Sequence, residues 1–121
     1  MSPTELDQGL SLAPRWNADG LICAVAQDAT SRAVLMVAWM NAEALRLTLE
    51  TGRATYWSRS RQKIWVKGEE SGHTQRVIEA RIDCDQDSVV LLVEQTGAAC
   101  HTGAPTCYYR RILADGTLVR P

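Results

Sequence analysis

Three thiols, three carboxylates and an imidazole are concentrated between Asp83 and Cys107, around an apolar run of strand length at 88–95. Thiolates are soft ligands that suit zinc, and Cys84, Cys100 and Cys107 supply three of them. Cys84 and Cys100 are 16 positions apart and Cys100 and Cys107 are 7, unlike the two close pairs of a structural finger. Three protein ligands leave one coordination position for water, which is the catalytic arrangement. His101, beside Cys100, could be a fourth ligand or an acid/base group; buried, unligated thiols are the plain alternative. Asp83, Asp85 and Asp87 alternate, so an extended segment would project all three to one face and Cys84 to the other. Such a carboxylate cluster suits Mg²⁺, a hard cation that takes oxygen ligands, although a solvated acidic loop has the same composition.

A second concentration of polar chemistry precedes it. Ser58, Arg59, Ser60 and Arg61 combine hydroxyls with guanidiniums, which match phosphate oxygens in geometry. Lys67, Gly68, Ser71 and Gly72 add a cation and backbone that can approach an anion closely. The same residues could form an exposed turn or grip RNA. No Walker spacing is present, so an ATPase is not indicated. Trp57 and Trp65 could stack a base, though tryptophan in short strands more often serves the core.

These residues need a scaffold, and 121 residues suffice for one domain with a modest core. We read 1–15 as a flexible lead-in and 16–121 as a single domain. A net charge of −1 gives no global attraction to nucleic acid or membrane. The N-terminus lacks the pattern of a secretory signal, and no run is long and apolar enough to span a bilayer. A cytoplasmic location follows as an expectation, with the four cysteines reduced.

Strand character is expected at 21–27 and at 33–40, joined by a turn at 28–32. The second run is almost continuously apolar and reads as buried on both faces. Asn41 can cap a helix over 42–50, with Leu45 and Leu49 on one face and Gly52 closing it. Further strands are expected at 53–57, 64–66, 75–82, 88–95 (the central strand), 107–113 and 117–119, with Asp115-Gly116 as a hairpin turn. The result is a mainly β (α+β) chain, mostly antiparallel, with one principal helix.

Taken together, these motifs resemble phosphoribosyl-AMP cyclohydrolase. One signature is carried by 56–61 (Tyr-Trp-Ser-Arg-Ser-Arg) and 65–75 (Trp-Val-Lys-Gly-Glu-Glu-Ser-Gly-His-Thr-Gln). The other is carried by 83–87 and by 95–103 through 107–110. The resemblance runs from about Gly20 to Leu113; Thr106, Tyr108 and Tyr109 depart conservatively from it and leave every expected ligand in place.

It implies a barrel-like, intertwined homodimer of the monofunctional form, acting in the third step of histidine biosynthesis. It further implies one zinc per subunit, shared so that Cys84 comes from one subunit and Cys100 and Cys107 from the other, and Mg²⁺ on Asp83, Asp85 and Asp87. On that reading His101 is the first choice to move a proton, with His73 and Glu69 behind it, and the basic residues hold the nucleotide's phosphates. The competing class is a zinc-stabilised binding module. A nucleotide deaminase is disfavoured, because its His-x-Glu and Pro-Cys-x-x-Cys pattern is absent.

Overall fold

The computed structural model describes residues 9–120. Two apolar strands begin the domain, β1 (Ile22–Asp28) and β2 (Val34–Met40). They pair antiparallel, and the turn between them is tied by Asp28, whose Oδ2 accepts from the amides of Thr30 and Ser31 at 3.0 and 2.7 Å. Helix α1 (Ala42–Thr51) follows, and Asn41 caps it as expected, its Oδ1 accepting from the Ala44 amide at 2.8 Å. Gly52 closes the other end in the left-handed conformation.

Next come β3 (Thr55–Ser58), β4 (Lys63–Val66), β5 (Gln75–Ile82) and β6 (Ser88–Gln95). A separate two-stranded ribbon, β7 (Arg111–Ile112) with β8 (Leu118–Val119), ends the described chain. The main sheet runs in the order β4-β3-β2-β1-β6-β5. Every neighbouring pair is antiparallel except β1 with β6. The sheet curls into a half-barrel. Its curl brings β5 towards the segment before β3: the Ala54 amide donates to the Gln75 carbonyl at 3.0 Å, and the Val77 amide to the Gly52 carbonyl at 2.8 Å. No described helix is long and apolar enough to cross a membrane.

Alternation builds the core. Ile22, Ala24 and Ala26 on β1 and Val89, Leu91 and Val93 on β6 turn one face inward, where Leu35, Met36, Met40, Leu45 and Tyr56 meet them. Helix α1 covers this face with Ala44, Leu45 and Thr48. The Thr48 hydroxyl ties the helix to β3, donating to the Thr55 carbonyl at 3.1 Å and accepting from the Thr55 amide at 3.0 Å.

Several expectations are corrected. Leu49 does not share the buried face with Leu45; it is 53% exposed, because the inward stripe runs through 44, 45 and 48. β2 is not buried on both faces, since Val34 and Val37 face outward and are exposed among the described residues. β6 is an interior strand, one place from the sheet edge, rather than the centre. The strand expected at 107–113 is cut to two residues. Its first half is drawn to β2 instead, where the Cys107 amide donates to the Leu35 carbonyl at 2.8 Å and the Thr106 hydroxyl to the Val34 carbonyl at 2.7 Å.

Candidate active site

The three aspartates lie on the tight connection between β5 and β6, a turn and not an extended segment. Alternation therefore does not bring them together; the turn does. Their carboxylate oxygens lie within 4.8 Å of one another, the one such group of three among the described residues. Asp83 anchors the turn, its Oδ1 accepting from the Asp87 and Ser88 amides at 2.9 and 3.1 Å and its Oδ2 from the Ser88 hydroxyl at 2.8 Å.

The electrostatics of the group are uneven. Desolvation opposes ionisation of Asp83, but hydrogen bonds from Asp87 and Ser88 outweigh it and hold its carboxyl at about 2. Asp87, hydrogen-bonded to Asp83 and Asp85 and repelled by their charges, is pushed up to about 6. Sequence reasoning overlooked Gln86, which is 3% exposed with φ 56°. Its Oε1 accepts from the Ala13 amide at 2.7 Å and its carbonyl from the Arg15 amide at 2.6 Å, which fastens the segment before β1 to the acidic turn.

The thiols are distributed differently. Cys84 is exposed on the acidic turn, whereas Cys100 is buried and shares a hydrogen bond with Cys107. The Thr102 hydroxyl donates to Cys100 Sγ at 3.0 Å. Hydrogen bonds from Thr102, then from Cys107, and the charge of Lys67 draw the Cys100 thiol below its ordinary value against some desolvation. Desolvation and the neighbouring Cys100 push Cys107 up. Cys100 is thus the more readily ionised of the two, and the thiolate is the form a soft cation takes. Cys84 joins neither in any group of three among the described residues, so one chain brings two of the three thiols together.

The basic loop divides. Ser58, Ser60, Arg61, Lys63, Lys67 and Ser71 line a cleft of about 480 Å³ along β3 and β4, with Glu69 and Trp65 also on its wall. Arg59 points elsewhere, its guanidinium 5.0 Å from the Trp39 ring centroid and beside a separate cleft. Gly72 follows the loop, its amide donating to the Gly68 carbonyl at 2.8 Å. Lys67 turns towards the thiol loop, where its Nζ donates to the Ala99 carbonyl at 2.7 Å. His101 is exposed on the turn after Cys100. His73 is also exposed, its amide donating to the Ser71 hydroxyl at 3.2 Å.

Beneath these groups runs a polar chain that sequence reading missed. The Tyr56 hydroxyl donates to Gln75 Oε1 at 2.6 Å, and Gln75 Nε2 donates to Gln95 Oε1 at 2.9 Å. Tyr56 and Gln75 are fully buried, and burial pushes the Tyr56 phenol up. A buried polar atom left without a partner costs about 1–3 kcal/mol, so this chain is a specified feature. One sequence signal was available: Gln75 and Gln95 are direct cross-strand partners at the open end of the β5–β6 hairpin.

This half-barrel, with an acidic turn, a thiol pair and a basic cleft on its loops, defines a small mainly β protein with an enzyme-like site. The family model for phosphoribosyl-AMP cyclohydrolase matches residues 36–109. A phosphoribosyl-AMP cyclohydrolase of Hyphomonas neptunium is 63% identical over 112 residues, covering 93% of this chain and 86% of the relative. Another from Rhodopseudomonas palustris is 58% identical over 113 residues, 93% of this chain and 77% of the relative. A third from Corynebacterium jeikeium is 62% identical over 104 residues, 86% and 82% of the two chains. The chain belongs to the phosphoribosyl-AMP cyclohydrolase family, whose members are hydrolases acting on carbon–nitrogen bonds.

Proposed function

We propose that this chain opens the adenine ring of phosphoribosyl-AMP in the third step of histidine biosynthesis. Water adds at ring carbon C6, the bond from N1 to C6 breaks, and a proton passes to N1, giving the formimino-carboxamide ribonucleotide. Lys67 is the observation that carries this reading. It lines the basic cleft and donates to Ala99, next to Cys100, so an anion-binding wall adjoins the thiol pair.

Ser58, Ser60, Arg61, Lys67 and Ser71, with Gly72 at the loop's end, would hold one phosphate, and Arg59 would serve a second anionic group from its own cleft. His101 is the first choice to deliver the proton to the leaving nitrogen, because it adjoins Cys100; His73 and Glu69 are the further candidates. Cys100 and Cys107 suit zinc, which when bound would supply Lewis-acid activation of the attacking water. With two thiols side by side and the third outside any group with them among the described residues, the reading includes a homodimer that shares each zinc. The outward Val34, Val37, Ile78, Ile112 and Leu118 offer apolar surface for such an interface. Asp83, Asp85 and Asp87 would hold Mg²⁺. Neither nucleic acid nor a membrane enters as a partner, and the enzyme would work in the cytoplasm.

The reading is tested by following ring opening of phosphoribosyl-AMP by absorbance, with and without a chelator. Turnover is expected in its absence, loss in its presence and recovery on adding Zn²⁺. No ring opening by the metal-replete protein overturns the assignment.

The acidic turn makes its own prediction. Below about 6 Asp87 holds a proton that a cation must displace, so Mg²⁺ affinity should fall about tenfold per unit as pH drops further. Titration calorimetry at about pH 5 and about pH 7 measures this. An affinity independent of pH would remove Asp87 from the ligand set.

A further inference from the structure

We propose that Gln95 and Gly97 are positioning residues that set the His73 imidazole, in place of His101, as the proton donor, an inference that rests on the activity proposed above. The buried amide chain has a direction. Gln75 Oε1 accepts from the Tyr56 phenol, so its Nε2 must face Gln95, whose Oε1 accepts. Gln95 Nε2 is thereby turned outward, and donates to the carbonyls of His73 at 3.2 Å and Thr96 at 3.1 Å. Flipping one amide alone would set like atoms against each other, and flipping both would set Gln95 Oε1 against the His73 and Thr96 carbonyls, so the chain fixes Nε2 as the end of Gln95 that meets His73.

A second contact reaches the ring itself. Gly97 has φ +71°, and a Cβ there would lie 2.6 Å from His73 Cδ2 and 2.9 Å from Nε2. The imidazole therefore occupies the space that any side chain at 97 would need. The His73 backbone is tied by its amide to Ser71 and by its carbonyl to Gln95, and its exposed ring lies against Gly97. His101 makes no comparable hydrogen bond among the described residues. Gly97 also begins the loop that carries Ala99 and Cys100, so the residue against the imidazole lies three positions before a thiol. A proton donor held in place avoids reorientation during the reaction, and small displacements of such groups are costly in rate.

The test is a pair of double-mutant cycles on the metal-replete enzyme. Gly97→Ala should push the ring aside. Gln95→Glu keeps the acceptor for Gln75 Nε2 and removes the donor to His73. Each is expected to lower kcat about ten- to hundredfold and leave KM within about twofold. In a His73→Ala background each should cause no further loss. Losses that multiply instead, or that appear in KM, overturn the proposal. His73 imidazole resonances, read by NMR without substrate, should shift in both variants; unchanged resonances also overturn it. If the wild type fails to open phosphoribosyl-AMP, the activity reading falls, and the imidazole spectrum still decides whether Gln95 and Gly97 hold the ring.

Discussion

Refolding Cys84→Ala subunits together with Cys107→Ala subunits is expected to restore about a quarter of wild-type turnover from two variants that are each inactive. The expectation follows from where the thiols sit. Cys100 and Cys107 are hydrogen-bonded neighbours, while Cys84 is exposed on the β5–β6 turn and belongs to no group of three with them among the described residues. A site built from Cys84 of one subunit and the thiol pair of another fails in either pure variant, because one thiolate is missing from every copy. In a mixed dimer one of the two sites loses both thiols and the other keeps all three. Equal mixing makes half the dimers mixed, and half their sites are whole. Zinc content should track activity, since an incomplete site binds metal poorly. Retained zinc and turnover in Cys84→Ala alone would sink the shared site, as would inactive mixtures in which mixed dimers are demonstrated.

Much of the scaffold was readable because simple periodicities dominate it. β5 and β6 match their expected bounds, since an eight-residue alternating or apolar run between polar turns leaves little freedom. Helix α1 was legible from its ends, with Asn41 capping through its side-chain oxygen and Gly52 through the left-handed backbone that a residue without Cβ adopts freely. Periodicity fails where one residue is claimed by a distant partner. The apolar stretch after Cys107 has strand composition, yet the Thr106 hydroxyl and Cys107 amide are taken by the start of β2. Leu49 has helical spacing from Leu45 but faces outward, because Thr48 takes the inward place to bind Thr55.

The site shows the same division. Residue types marked the acidic cluster correctly as a group, but the geometry expected for it was wrong. Gln86 takes φ 56°, and the resulting turn gathers what a strand would have spread along one face. The four residues of the basic motif looked equivalent in sequence. Turn geometry sends Arg61 into the cleft and Arg59 onto Trp39. Tyr56, Gln75 and Gln95 went unread because a side-chain chain between three strands has no period; only the hairpin register brings the two glutamines opposite each other.

Gly68→Ala is expected to destabilise the protein by about 3 kcal/mol or more, while Gly72→Ala in the same loop costs about 1–2 kcal/mol. Both glycines are left-handed, with φ +82° and +80°, so the strain of placing an L side chain there is nearly the same. Their surroundings differ. A Cβ on Gly72 meets nothing within 4 Å, whereas one on Gly68 would lie 2.4 Å from the His73 carbonyl carbon and 2.5 Å from the Thr74 nitrogen. Those are backbone atoms, and they cannot rotate aside as a side-chain tip could. Relief requires moving the 73–74 backbone, whose Thr74 carbonyl accepts from the Thr96 amide at 2.9 Å and whose His73 carbonyl is bound to Gln95. The strain therefore reaches the loop leading to Cys100 as well as the cleft lined by Lys67 and Glu69. Urea unfolding of both variants measures the difference, and equal losses would show that the close approach of Gly68 to His73 contributes nothing beyond its φ.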